Sequence, residues 1–433
     1  MKIFNRILEG LLWGLIFFIP FSTAGVVICL YLAVFVWVIK RVTLGVGEYK
    51  IATSKKLKKF FLCFRLSPNI LNRPIYILAI IHLVSCLLNS DVRLELQDVL
   101  GKLYSYLFVF FLVLEVIFQY NPNSLDQVKI RKRVLNRILG VFLFSITLIV
   151  LDGWFQYITG RDFLRGYLNT GRLQASFKSS NDFAAWIIII LPVLVFSSSV
   201  KFKRISQRLI RIIKIFCFIL AISAIALLGN TFSRGAWIGS LISLGFVGIS
   251  GFMYREKRLR LFVILGSILI SSLVVLGVNS NKPIRERLST LQKGVHIDEV
   301  RKLLWEEAFM IIKDYPILGT GPNTYLSVVP QYKIADKNYL YYPHNSFLHM
   351  AAEVGLLGLW AFLWVMWRFF RQGIKISKKQ GNILLLGLMA GVLAFLIHSF
   401  FDTNLYSLQL VVLFWFVLGL GVSMFSLDSR GNS

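Results

Sequence analysis

Acidic residues are scarce in this sequence. Its 433 residues hold 21 Asp and Glu against 48 Lys and Arg, and charged residues of both signs reach only 16%. Soluble chains carry about 25%, so the deficit excludes an ordinary water-soluble domain. The 56% share of hydrophobic residues excludes a disordered chain as well. Cysteine is limited to Cys29, Cys63, Cys86 and Cys217, with no close pair, which argues against a disulfide framework or a zinc site. Internal repeats and low-complexity tracts are absent, which sets aside solenoid, collagen-like and coiled-coil classes.

Long apolar runs are what the chain has instead. Mean hydropathy is +0.69, and a membrane-crossing helix needs ~20 mostly apolar residues. Twelve stretches qualify, at approximately 7–21, 23–39, 74–89, 103–119, 137–158, 183–199, 212–229, 235–253, 261–278, 347–367, 382–400 and 406–426. The first two share the tight turn Phe21-Ser22-Thr23. The expected fold is an all-α polytopic membrane protein, with about 12 transmembrane helices forming a single integral membrane domain over 1–433. One connection is long, from 279 to 346. Met1 to Pro20 lacks a small-residue cleavage site and is expected to remain as the first span.

Loop charge sets the expected orientation, because Lys and Arg accumulate on the cytoplasmic side. With a cytoplasmic N-terminus, the inner loops hold 32 Lys/Arg and 5 Asp/Glu, and the outer loops 16 and 13. Both termini then lie in the cytoplasm and the 279–346 loop faces outward, which in a bacterial inner membrane is the periplasm. The net charge of +27 is therefore mostly a topology signal. Attraction to anionic lipid accounts for the rest, notably at Lys55-Lys56-Leu57-Lys58-Lys59-Phe60-Phe61. The bilayer is the expected partner, and nucleic acid is not.

The candidate chemistry lies on the outer side. Arg234 opens the span at 235–253, with Ser233 placed to cap it. An Arg at an outward-facing helix N-terminus opposes both the helix dipole and the positive-inside bias, so it either snorkels as an anchor or meets an anion. In the long loop, apolar residues at 300, 304, 308 and 311 predict an amphipathic helix, capped by Asp298, limited by Pro316 and carrying Arg301 in its first turn. Gly319-Thr320-Gly321 is a tight turn or a nest for an anion, and no dinucleotide fingerprint. His344, at the entry to the tenth span, is either structural or a proton acceptor. His349 with Glu353, and His398 with Asp402, have the spacing of paired residues on a helix. The first of these pairs is expected to be mainly structural, partnering a carboxylate inside a span. Trp154, Gln156 and Tyr157 precede the basic residues Arg161, Arg165, Arg172 and Lys178, a mixture suited to a sugar phosphate or to an ordinary interface.

Several stretches together resemble the O-antigen ligase family, which includes polysaccharide polymerases. His344-Asn345 followed after nine residues by Gly355, and then by Gly358, is similar to that family's His-Asn-x9-Gly-x-x-Gly motif. Thr231-Phe232-Ser233-Arg234-Gly235-Ala236-Trp237 resembles its arginine segment, except that Ile238 stands where the ligase pattern has Leu. Arg301 with Trp305, Pro316 and Gly319-x-Gly321 resembles its loop helix and turn, and Gly171 to Phe177 with Asn181 is also similar. The likeness runs from about 171 to 402.

The resemblance implies a fold like that of lipid-dependent GT-C-like glycosyltransferases and a metal-independent, inverting transfer without cofactor. Its donor would be a glycan on undecaprenyl pyrophosphate, and its acceptor a lipid A-core or another glycan. It implies His344 as the catalytic base and Arg234 and Arg301 as pyrophosphate ligands. Arg172, Lys178, Asn345 and Asp402 are further candidates for substrate binding. Ligase is the leading activity and polymerase the nearest rival. A lipid-linked glycan transporter would favour internal repeats and ionisable groups near midplane, whereas the candidates here gather at the outer mouth.

The charge division predicts accessibility. With the native cysteines replaced, a cysteine at Lys333 should react with an impermeant reagent on intact cells, and one at Leu57 only after permeabilisation. Labelling of position 57 in intact cells would invert the topology.

Overall fold

The computed structural model describes residues 1–51, 66, 69–88, 104–118, 125–197, 206–251, 297–334 and 342–425, with single helical positions between 257 and 272. Among these residues the chain is helical, with no strand beyond one bridge between Arg161 and Leu168. The helices are α1 (Lys2–Phe18), α2 (Thr23–Ile51), α3 (Asn72–Leu88), α4 (Tyr104–Phe118), α5 (Leu125–Thr159), α6 (Ser180–Ser197), α7 (Gln207–Asn230), α8 (Arg234–Gly251), α9 (Ile297–Asp314), the short α10 (Tyr325–Val328), α11 (Ser346–Gln380), α12 (Ile383–His398) and α13 (Leu408–Met424).

Helices occupy each expected apolar stretch except 261–278, which lies largely outside the described residues, as do 279–296 and 335–341 of the long loop. By length and composition, Thr23–Leu44, Ile130–Thr159, Gln207–Asn230 and Ser346–Gln380 can each cross a membrane, and six shorter apolar helices accompany them. The outward faces of α2 and α7 carry Ile28, Phe35, Ile215 and Ile219, each more than half exposed. Contiguous apolar surface of this kind needs a hydrocarbon surrounding. The protein is a multi-pass helical membrane protein.

α12 lies at the centre, and small residues bring its neighbours close. A Cβ on Gly391 would stand 2.2 Å from the Ile189 carbonyl of α6, and one on Gly239 of α8 would stand 2.7 Å from the Ala394 carbonyl. Backbones that approach this closely gain dispersion contacts, which drive helix association in lipid, where hydrophobic burial adds little. The three acids expected within the spans have partners. Glu115 bonds Lys40 and Arg41. Asp152 accepts from Phe163 N and Ser176 Oγ, and Glu353 from His349 Nε2 and Tyr325 N.

The element that sets up one end of the bundle is a break in α11. Gly355 has φ 70 and ψ 178 inside the helix. The turn Pro316–Gly321 docks against the break. Thr320 N and Gly321 N donate to the Ala352 and Glu353 carbonyls at 2.9 and 2.8 Å, and Leu356 N donates to Pro316 O at 2.8 Å. Ser85 Oγ of α3 reaches Leu318 O at 2.6 Å. Backbone freed by the break is thus paired again, as an apolar surrounding requires. The same bonds overturn the reading of Gly319-Thr320-Gly321 as an anion nest, because two of its amides already serve α11.

A side chain at 355 should be costly. A Cβ there would sit 2.1 Å from Ile317 O, and positive φ alone costs a non-glycine residue about 1–3 kcal/mol. Gly355→Ala should lower the melting temperature in detergent, while Gly10→Ala, where a Cβ meets nothing within 4 Å, should not. Equal melting temperatures would show that the break tolerates a side chain.

Candidate functional site

Four connecting segments converge at one end of the bundle. The α1–α2 turn joins them, since Arg165 Nη2 donates to Phe21 O at 2.6 Å. Gln156, fully buried at the end of α5, organises the 159–182 loop. Its Oε1 accepts from Gln174 N and Ala175 N, and its Nε2 donates to Tyr167 O. Of the two readings open for Gln156, a sugar contact or an ordinary interface, the structure shows the interface: its amide holds the loop together. Trp154 likewise donates to Ser223 Oγ of α7.

The folded 171–177 stretch lies against the α7–α8 turn. Leu173 N donates to Asn230 O at 3.0 Å, and Arg172 Nε to Thr231 O at 2.9 Å. That turn requires Phe232 to adopt φ 53, and Arg234 follows as the first residue of α8. Ser233 stands at the expected capping position, with its hydroxyl 3.1 Å from His398 Nε2.

His344 has φ 47, a conformation costly for a side chain of this size. Its neighbours hold it there. Trp305 Nε1 of α9 donates to Pro343 O at 2.9 Å. Asn345 Oδ1 caps α11 by accepting from Phe347 N and Leu348 N. Ser346 Oγ donates to Asp402 O at 2.9 Å. Strain maintained this way is common where a side chain must be aimed.

The aim is at Asp402. His344 Nδ1 lies 3.1 Å from Asp402 Oδ1. Asn181 Nδ2 donates to Asp402 Oδ2 at 2.6 Å, and Arg172 Nη2 donates to Asn181 Oδ1 at 2.8 Å. Burial would raise the Asp402 carboxyl, but the His344 hydrogen bond and the nearby imidazoles of His398 and His344 hold it down at about 2. An ionised Asp402 accepts the Nδ1 proton and leaves the His344 lone pair on Nε2, the acceptor end. The His344 side chain remains 39% exposed.

The other candidates surround this pair. Arg301 is the fifth residue of α9, two positions deeper than expected, because the helix begins at Ile297, before the Asp298 expected to cap it. Its charge reaches His398 at the end of α12. Lys178 is exposed and lines a cavity shared with Asp402. Among the described residues, no group of three His, Cys, Asp or Glu is placed to hold a metal ion.

Residues 216–363 match the family described as O-Antigen ligase. That stretch, about a third of the chain, is similar to the O-antigen ligase family. No curated protein matches it. The O-antigen ligase match covers the arginine turn, α9 and the His344 segment, whereas Arg172, Asn181 and Asp402 lie outside it. Structure is what joins those three residues to the matched region.

Two contacts escaped the sequence reading. His398 and Asp402 were expected to pair through helical spacing, but α12 ends at His398, and the spacing rule holds only inside a helix. His398 instead contacts Ser233 and Asn404, and Asp402 turns to His344. Asn181 lay in a motif without a role, and no one-dimensional spacing connects it to Asp402, 221 residues away.

If Trp305 holds the His344 segment, removing its donor should loosen that segment. One hydrogen bond contributes about 0.5–1.5 kcal/mol, so Trp305→Phe should raise amide exchange over 344–346 roughly twofold to tenfold. Unchanged protection by hydrogen–deuterium exchange would mean that the backbone is held by other contacts.

Proposed function

We propose that the protein is an inverting membrane glycosyltransferase that moves a glycan from undecaprenyl pyrophosphate to an acceptor hydroxyl, as an O-antigen ligase acting on lipid A-core. The observation that carries the reading is the His344–Asp402 pair, held through Asn181 by Arg172 and set among basic residues.

In this reading Arg234 and Arg301 bind the donor pyrophosphate, which planar guanidinium groups match with paired hydrogen bonds. Arg234 also adds its charge to the N-terminal end of α8, where the helix dipole favours an anion. The acceptor hydroxyl attacks the anomeric carbon as the bond from that carbon to the pyrophosphate oxygen breaks. The hydroxyl proton passes to His344 Nε2, and the electron pair of the broken bond leaves with undecaprenyl pyrophosphate. Asp402 fixes the tautomer and stabilises the imidazolium that forms. The two guanidinium groups offset the departing charge, the task a metal ion performs in other phosphate-leaving reactions. Lys178 is placed for the acceptor side, and Asn345 supports the site as the cap of α11.

The charge division supports a single integral membrane unit in the bacterial inner membrane, with both termini cytoplasmic, the 279–346 loop periplasmic and the site facing the periplasm. The partners are the lipid-linked donor, the acceptor glycan and the bilayer.

Purified protein given lipid-linked glycan and lipid A-core should form the lipid A-core adduct. A lengthened lipid-linked ladder would instead identify a polymerase. His344→Ala should retain donor binding and lose transfer by roughly 10²–10⁴-fold, the range for a general base. Arg234→Lys should lose most activity and weaken donor binding although charge is kept. Near-normal transfer by His344→Ala would remove the base assignment, and unchanged binding by Arg234→Lys would return that residue to a membrane anchor.

A further inference from the structure

The geometry points to a separate sugar-binding cavity for the acceptor, lined by Asp402 but not by Arg234 or Arg301. The proposal rests on the transferase reading. A cavity of about 630 Å³ opens between α3, α11, the 402–409 segment and α13, within the size range of small-ligand sites. Arg234, Arg301 and His344 are not among its lining residues, but Asp402 is, and so is Tyr342, two residues before His344.

The walls have a definite chemistry. Among the described lining residues, Asp182, Glu353 and Asp402 supply carboxylates, against one cation, Lys178. Such a wall repels a pyrophosphate, so the donor's phosphates do not belong there. Two histidines add acceptors. His82 Nδ1 bonds the Leu78 carbonyl at 2.8 Å, which places its proton on Nδ1 and leaves Nε2 as an acceptor. His349 Nε2 bonds Glu353 Oε1 at 3.2 Å, which leaves Nδ1 as an acceptor. His349 is 1% exposed, and its Nδ1 is buried with no hydrogen-bond partner. A buried polar atom without a partner is unusual, and one in the wall of a cavity is explained by a ligand that donates to it.

A ligand facing many acceptors must carry many donors while bearing no negative charge. A hydroxyl-rich sugar meets that requirement. Ring faces are present for its carbon side. Tyr406 stacks on His349 with centroids 3.5 Å apart, and the Tyr342 ring lies 4.9 Å from His349. Beyond them the wall becomes apolar at Leu78, Phe362, Val411 and Trp415. An uncharged sugar of an amphipathic acceptor, entering from the bilayer, fits this gradient. Its hydroxyl would approach His344 beside Asp402, opposite the pyrophosphate, as inversion at the anomeric carbon requires.

The test is a KM measurement with two variants outside the reacting groups. Tyr342→Ala removes a ring, and Thr23→Trp fills the rim, since Thr23 also lines the cavity. Purified protein in nanodiscs is given labelled lipid-linked glycan as donor and lipid A-core as titrated acceptor. In both variants the KM for lipid A-core should rise about tenfold, the size of one lost contact. The KM for donor and the binding of donor lipid should stay at wild-type values, which also reports that the variants are folded. An unchanged acceptor KM in both variants would overturn the proposal. So would a raised donor KM, because the cavity would then hold the donor's sugar. No transfer by the wild-type protein to lipid A-core or to a second lipid-linked glycan would overturn the transferase reading itself, a result distinct from an unchanged KM.

Discussion

A helix cannot lose its hydrogen-bond ladder in an apolar surrounding unless other groups complete it, and the site-bearing end of this protein is organised around that constraint. At Gly355 the ladder of α11 is interrupted. The turn 316–321 supplies the missing amides and carbonyls. Docking that turn fixes the end of α9, which precedes it directly. Trp305 on α9 then reaches Pro343, and His344 is held in a conformation it would not adopt unaided. One break in one helix therefore positions a side chain eleven residues away along the sequence.

The architecture was legible because apolar runs of membrane-spanning length have few alternatives. Helix ends were less so. α5 begins at Leu125, well before the apolar stretch at 137. Lys and Arg are good helix formers, and a helix leaving a membrane has no reason to stop where hydrophobicity stops. The site was legible as a set of residues but not as a wiring diagram. Arg234 and His344 stood out by position and resemblance. The bond from Asn181 to Asp402 joins segments from distant parts of the chain, and only folding brings them together. Spacing misled at His398 and Asp402, since a helix end intervenes. Gly319 and Gly321 were visible as a turn, and their purpose became clear only with the broken helix beside them.

The ionised Asp402 divides two environments. The arginine turn of α8 lies toward one side, outside the lining of the acidic cavity. The cavity lined by Asp182 and Glu353 lies toward the other. On the proposed transfer reading, an anionic donor and an uncharged acceptor sugar would be sorted by such a partition before either reaches the imidazole. Backbone strain at Phe232 and His344 sits on the two segments that flank the partition, so rigidity is concentrated where alignment matters.

The tie between the first and last parts of the chain has a consequence for biogenesis. Ile19 O, at the end of α1, accepts from Gln409 Nε2 of α13, a separation of 390 residues. Phe21 O waits for Arg165, 144 residues downstream. A ribosome delivers α1 and α2 to the translocon long before either donor has been made. The leading hairpin must therefore keep these carbonyls hydrated at the lipid headgroups through most of synthesis. α13 supplies the donor for Ile19 O, so a chain that stalls before α13 leaves that carbonyl of the leading hairpin without this bond.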